Sequence, residues 1–287
     1  MKLSVIIPCF NGAETISEQL DALVRQGWDQ PWEIIVADNG STDASAEIVF
    51  GYQAKYPNIR LIDASGKRGP SFARNAGVEA AQGELVAFCD ADDLVAGDWV
   101  REIAEAIERH GFVASRMGVH PASDPRAAEL KKHRQTTGLI QYTYVPYLSH
   151  AGASGLGVRK RLHHEVGGFD ERFVYCEDCD YCWKIQLLGY PLQFAPGALI
   201  HVRHRETRSG QFRQARNWGE YNVLLIKKYV PRGMPKPRIR DGVKKWRRLL
   251  RMTPKLRDPM RRQQFVWGLG YRIGHLVGMI RFRIVAF

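Results

Sequence analysis

The residues richest in chemistry are Asp90-Ala91-Asp92-Asp93, which follow directly on the apolar stretch Glu84–Cys89, ELVAFC. Spaced carboxylates straight after a buried-strand pattern put hard oxygen ligands at the mouth of a sheet. Such ligands suit Mg²⁺ or Mn²⁺ held together with a substrate diphosphate, whose leaving charge the cation neutralises. The same residues also fit a plain strand-to-turn junction, where Asp is common. A second acidic cluster, Glu177-Asp178-x-Asp180, opens a helical stretch. It offers a carboxylate to take a proton from an attacking hydroxyl, or merely acids favoured by a helix dipole. Cys176-x-x-Cys179-x-x-Cys182 interleaves with that cluster and has no fourth ligand at a zinc-like spacing. Small buried side chains on a helix account for it better than a metal centre does.

Elements must bring these groups together, and the first ninety residues alternate between strand and helix patterns. Leu3–Pro8, Glu33–Asp38, Ile59–Ile62 and Glu84–Cys89 are apolar strand runs. Between them lie Ile16, Leu20, Leu23 and Val24 at helical spacing, a helix start at Ser41-Thr42-Asp43, and a helix rich in small residues over Ser71–Ala81. Such alternation implies a mostly parallel, right-handed wound sheet, and ligands of such sheets sit at the carboxyl ends of the strands. Those ends carry Pro8–Asn11, Asp38–Gly40 and Asp90–Asp93, more polar residues than a fold alone needs. Further on, the pattern predicts a helix near Asp98–His110, a strand over Gly152–Val158, strands over Leu192–Pro196 and Ala198–Val202 running to His201 and His204, and a helix over Phe212–Tyr229. The polar stretch Lys131–Thr137 has no assignment, and Pro231, Gly233, Pro235 and Pro237 mark a linker.

Four blocks in this order carry a resemblance: SVIIPCFNGAETI, EIIVADNGSTD, GPSFARNAGVEAAQGELVAFCDADD, and GGFDERFVYCEDCDYCWKIQLLGY with its trailing APGALIHVRH. Across roughly residues 1–230 the chain resembles the family 2 inverting glycosyltransferases of the GT-A fold, of the type that builds bacterial cell-surface glycans. The resemblance implies a Rossmann-like α/β sheet with flanking helices. It implies a catalytic domain over 1–230, with the nucleotide-sugar half at 1–93 and the acceptor half at 94–230. It implies transfer of a sugar from a nucleoside-diphosphate donor (UDP, GDP or dTDP) to a glycan or lipid-linked acceptor, with Mn²⁺ or Mg²⁺ as cofactor. Pro8, Phe10, Asn11 and Glu14 match the loop around base and ribose, with Phe10 in place of the more usual Tyr. Asp38 matches the acid at the base or ribose, and Arg74 the Ala-Arg-Asn motif near the diphosphate. Asp92 matches the metal ligand, Asp90 lies nearer the ribose, and His201 completes the metal site, with His204 as its alternative. Asp178 matches the catalytic base, with Glu177 the second choice; Gly167-Gly168 matches a turn near the acceptor. A processive synthase would carry a Gln-x-x-Arg-Trp motif, and Gln214–Trp218 reads QARNW with Asn217 where that Arg belongs, so transfer of a single sugar is expected. A nucleotidyltransferase would show a Gly-rich phosphate loop, which Asn11-Gly12-Ala13 is not. A sugar-nucleotide-binding scaffold with weak catalysis is the alternative function.

Charge divides the chain. The 287 residues carry a net +12, yet from Pro231 onward there are 16 Lys and Arg against two acids, leaving 26 basic and 28 acidic residues before it. Residues 231–287 thus form a strongly basic C-terminal region, and such regions meet anionic surfaces. Phe265, Leu269, Ile273, Leu276, Ile280 and Ile284 recur there at helical spacing, and Lys244, Lys245, Arg247, Arg248 and Arg251 surround Trp246, Leu249 and Leu250. The pattern is a basic amphipathic helix. It fits docking on an anionic membrane surface, or packing of the apolar stripe on the rest of the protein; no nucleic-acid-binding fold accompanies it. No run of 18 uncharged apolar residues occurs. Five cysteines, an odd number, and a start without a secretory pattern predict a cytoplasmic enzyme, peripheral on the inner face of the cell membrane.

Overall fold

The computed structural model describes residues 1–121, 135–142, 146–203 and 208–286; His204 and residues 131–134 lie outside them. Contacts divide the chain into two units, Met1–Ile140 with Ser149–His204, and Gln141–Leu148 with Arg205–Phe287.

The first unit is built on one eight-stranded sheet with the order β3-β2-β1-β4-β7-β6-β8-β5. Its strands are β1 (Leu3–Cys9), β2 (Trp32–Asp38), β3 (Ile59–Asp63), β4 (Leu85–Phe88), β5 (Leu94–Val95), β6 (Phe112–Val119), β7 (Leu156–Arg159) and β8 (Gln193–Val202). The four at the β3 end are mutually parallel. Helices cover both of their faces, so β1, β2 and β4 are mostly apolar on both sides rather than alternating; Leu3, Val5, Ile6 and Ile7 are all fully buried, and the buried Ser4 and Glu33 satisfy each other at 2.7 Å. On one face, Ile16, Leu20 and Leu23 of α1 (Ile16–Val24) join Trp99, Ile103 and Ile107 of α4 (Trp99–His110) in the main core. On the other, α3 (Pro70–Ala80) approaches β1 closely because Gly77 has no side chain: a Cβ there would sit 2.3 Å from Ile6 Cγ2. The α/β sheet with flanking helices is the architecture the sequence implied. Beyond β4 it is mixed, with β7 antiparallel to both β4 and β6, and β6 parallel to β8.

Two strand expectations change. Residues before Leu156 are loop, with Gly155 at φ 83°, so β7 is shorter than the small-residue run suggested. The two apolar runs around Pro196-Gly197 are one strand, because the pairing jumps from Ser115↔Ala195 to Arg116↔Leu199 and the bulge takes up the proline.

Register aligns the site. Cys9 pairs with Asp38, Asp38 with Asp63, and Ile6 with Phe88, so Phe10–Asn11, Asp38–Gly40 and Asp90–Asp93 leave the sheet along one edge. The remaining helices described in this unit are α2 (Ser45–Gln53), α5 (Lys160–Glu165) and α6 (Glu177–Leu187).

The second unit is helical: α7 (Arg208–Tyr229), α8 (Ile239–Leu250) and α9 (Pro259–Phe282). Asp258 caps α9 by accepting the Met260 N–H at 2.8 Å, and Pro259 takes the first helical position. The expected C-terminal helix is therefore present, but its packed seam is not the Phe265–Ile284 stripe. Gly270, Gly274 and Gly278 face α7, where added Cβ atoms would lie 2.7, 1.7 and 2.5 Å from the carbonyl oxygens of Phe212, Arg216 and Glu220. Both registers advance together, so α7 and α9 run parallel at backbone contact. Ile280, from the predicted stripe, is 81% exposed. Among the described residues no helix is long and apolar enough to cross a membrane.

Candidate active site

The β1 and β2 ends are laced into one wall. Asn11, in the left-handed region at φ 51°, accepts the Thr42 N–H at 2.8 Å on its side-chain oxygen and donates its own N–H to Ser41 Oγ at 3.0 Å. Asn tolerates that conformation better than most residues. Gly12 N–H donates to Ser45 Oγ at 2.8 Å and Ala13 N–H to Asp43 Oδ2 at 3.0 Å, so Asp43 and Ser45 start α2 and hold the opposite loop at once. Asp38 accepts the Ser41 N–H at 3.3 Å. Phe10 is 46% exposed with the Arg68 guanidinium 4.8 Å from its ring centre. Pro8 is half-buried and Glu14 exposed. Behind this wall the buried Asn39 donates to the Ala64 and Lys67 carbonyls and accepts the Gly69 N–H at 2.7 Å, shaping the turn that launches α3.

Arg74 of α3 joins the two acidic clusters. It is 3% exposed, and it donates from Nη2 to Asp90 Oδ1 at 2.7 Å and from Nη1 to Glu177 Oε1 at 3.1 Å. Burial alone would favour losing its proton, but the two carboxylates outweigh that and raise its pKa. Its neighbour Asn75 clamps the Gly167-Gly168 turn through Phe169, donating to its carbonyl at 2.9 Å and accepting its N–H at 2.8 Å. Lys184 of α6 donates to the Val166 and Gly168 carbonyls of the same turn. Cys176, just before α6, has φ 61°, a conformation costing a non-glycine residue about 1–2 kcal/mol. It starts the helix so that Glu177 and Asp178 are its first residues. Glu177 is pushed up to about 7 by burial and by Asp178, against the opposing pull of Arg74. Asp178 is half-buried, and its Oδ1 accepts the Cys179 N–H at 2.7 Å. Cys179 and Cys182 are buried on the same helix.

At the β4 end, carboxylate oxygens of Asp90, Asp92 and Asp93 lie within 4.8 Å of one another, Asp92 exposed and Asp93 buried. Burial, then Asp90 and Asp92, raise Asp93 well above the usual carboxyl range. Ser154 donates to Asp93 and accepts the Asp90 N–H at 3.1 Å, while the Arg203 N–H donates to Asp93 Oδ1 at 3.2 Å. Arg203 also reaches the Asp92 carbonyl at 3.3 Å and Glu18 at 2.8 Å. His201 sits on β8 opposite Leu94, with Nδ1 3.2 Å from the Val119 carbonyl, and is not one of the three clustered carboxylates. Three hard oxygen donors, one facing solvent and one charged at a cost, are a set that Mg²⁺ or Mn²⁺ fits.

The model of the family described as "Glycosyl transferase family 2" matches residues 4–167, which span both loops, Arg74 and the three acids and end at Gly167, the first residue of the Gly-Gly turn. The chain belongs to glycosyl transferase family 2. Among curated family members, Haloferax volcanii glycosyltransferase AglE is 28% identical over 196 residues, 67% of this chain and 64% of AglE. The Erwinia amylovora amylovoran biosynthesis glycosyltransferase AmsB is 27% identical over 220 residues, 73% of this chain and 72% of AmsB. A shorter, stronger match to Escherichia coli YibD, an uncharacterized glycosyltransferase, is 46% identical over 33% of this chain and 27% of YibD. The chain spans 27% to 64% of the length of the first three curated relatives it matches. In fold it is similar to mannosyltransferase PcManGT from Pyrobaculum calidifontis, solved with GDP-Man and Mn²⁺, at a TM-score of 0.60 and 21% identity over 98% of this chain and 75% of that one. S. aureus TarS 1-349, solved with UDP-GlcNAc, gives 0.55 and 20% over 99% and 93%.

For this family 2 chain, sequence reasoning missed four supporting residues, Asn39, Asn75, Ser154 and Lys184, and gave Asp93 no role of its own within the acidic cluster. Asn39 and Asn75 stand beside Asp38 and Arg74, so adjacency could have flagged them. Ser154 meets Asp93 across 61 positions of sequence, and no local pattern announces such a pairing.

Proposed function

We propose that the chain is an inverting, metal-dependent glycosyltransferase that moves one sugar from a nucleoside-diphosphate donor (UDP, GDP or dTDP) to a hydroxyl of a glycan or lipid-linked acceptor. The observation that carries this is Arg74. One buried guanidinium holds Asp90, on the donor side, and Glu177, beside the candidate base, within 3.1 Å of its own nitrogens. Residues 1–93 then serve the donor and 94–230 the acceptor. Pro8, Phe10, Asn11, Glu14 and Asp38 bound the nucleoside, with Arg68 and Phe10 offering a cationic edge and a ring face. Asp92 and Asp90, with His201, would hold Mn²⁺ or Mg²⁺; when bound, the cation neutralises charge gathering on the leaving diphosphate.

Asp178 is the base. Glu177 is already engaged by Arg74, whereas Asp178 gives one oxygen to Cys179 N–H and is thereby oriented with the other toward the acceptor. The acceptor oxygen bonds to the anomeric carbon from the face opposite the diphosphate, its proton passes to Asp178, and the broken C–O bond's electron pair leaves with the nucleoside diphosphate. We place this work at the inner face of a cell membrane, with residues 231–287 against the anionic surface. Asp178→Asn tests the assignment: donor binding is retained while turnover falls at least about 10²-fold, the low end for losing a general base. An active Asp178→Asn beside an inactive Glu177→Gln exchanges the two roles. Wild-type protein that binds donor but transfers to no acceptor supports the scaffold alternative.

A further inference from the structure

We propose that α8 lies in the headgroup layer of an anionic phospholipid bilayer, inserting the row Ile239, Val243, Trp246 and Leu250. The proposal rests on the membrane reading of residues 231–287 and names the element and face responsible. At 3.6 residues per turn these four side chains fall within an arc of about 60°. They are not a core face. Ile239 is 62%, Val243 42% and Leu250 63% exposed, and Trp246 is half-exposed. The buried side of the helix is a different one, marked by Gly242 and Leu249. Exposed aliphatic rows of this kind are uncommon on soluble surfaces unless something covers them.

The charge beside the row selects the cover. Arg240, Lys244, Arg247 and Arg251 follow centred about 100° further round the helix. All are exposed, and within α8 only Asp241 opposes them. An apolar row with a basic flank fits acyl chains on one side and lipid phosphates on the other. Nucleic acid would satisfy the basic flank and leave three exposed aliphatic side chains with nothing to gain. A second protein would have to match a row and a flank that a bilayer matches without any specific shape. The α9 stripe named by sequence periodicity is the competing surface, and Ile280 is its most exposed member.

The experiment uses the full chain and vesicles of phosphatidylglycerol and phosphatidylcholine, or phosphatidylcholine alone, in co-sedimentation at low and high salt. The expected result is binding to the anionic vesicles, at least 10-fold weaker for Val243→Glu/Leu250→Glu and for Lys244→Glu/Arg247→Glu, and unchanged for Ile280→Glu. A blue shift of tryptophan emission on adding vesicles is expected in wild type and lost in Trp246→Phe. Thermal midpoints within about 2 °C of wild type show that the exposed-site variants fold. Wild-type protein that ignores anionic vesicles overturns the whole membrane reading. Wild-type binding that survives Val243→Glu/Leu250→Glu overturns the α8 face and leaves the broader reading standing. Binding lost in Ile280→Glu moves the contact to α9 and also overturns the proposal.

Discussion

Replacing Glu177 with Gln removes one titration and leaves most of the geometry. Glu177 has a side chain 14% exposed, Asp178 next to it and Arg74 at 3.1 Å. Burial and Asp178 win over Arg74, so its folded pKa is about 7 against an ordinary 4.5. A carboxyl whose folded value is raised contributes stability that is complete below the unfolded pKa and is lost as pH rises through the folded one. From 4.5 to about 7 the full change is about 3 kcal/mol, most of which falls between pH 5 and pH 8. Gln at 177 cannot titrate, yet its amide oxygen can still accept from Arg74. The variant therefore gains on wild type by about 2 kcal/mol or more as pH goes from 5 to 8, whatever its absolute offset. Urea unfolding of both proteins at half-unit pH steps reads this difference, since the carboxylates away from Glu177 cancel in the comparison. Two stability curves that stay parallel across the window would refute the account of Glu177 as a buried carboxyl crowded by Asp178.

Asp92→Asn should abolish Mn²⁺-dependent strengthening of donor binding, read by calorimetry with and without the metal; equal affinities in all four combinations would sink the metal assignment. Gly274→Leu should lower unfolding stability by about 2 kcal/mol or more, because even its Cβ would fall 1.7 Å from the Arg216 carbonyl. An unchanged denaturation midpoint would mean that α7 and α9 do not touch backbone to backbone.

The half of the fold that reads most clearly from sequence is the half whose strands are buried on both sides. β1, β2 and β4 are short, mostly apolar runs interrupted only by Ser4 and Glu33, and α1 between them has clear periodicity, so both order and strand ends were legible. The Asp90–Asp93 cluster was legible for the same reason, since a strand this apolar must end where charge begins. β6 was not, because Arg116 and Gly118 interrupt its pattern. The unity of β8 was hidden as well, because Pro196 reads as a break unless the facing strand's jump in register is known. Glu177 and Asp178 stood out as a pair, but their division of labour depends on Arg74, a residue 103 positions away. The C-terminal periodicity announced a helix, but its apolar stripe, open to docking or to packing, is not the face that meets α7. Hydrophobic pattern finds seams made of side chains, whereas this seam is made of their absence.

That seam has a kinetic consequence. Gly270 over Phe212, Gly274 over Arg216 and Gly278 over Glu220 are each 58 residues apart, a constant separation that only parallel helices give. Antiparallel neighbours could zip from a short turn, one contact making the next local. Here no rung is local to any part of the chain, and closing 58 residues instead of a five-residue turn adds about 2 kcal/mol of loop entropy before the first contact forms. The three rungs then arrive together, so α7 and α9 should dock in one late, cooperative event, with α8 as the return path that the parallel arrangement makes unavoidable.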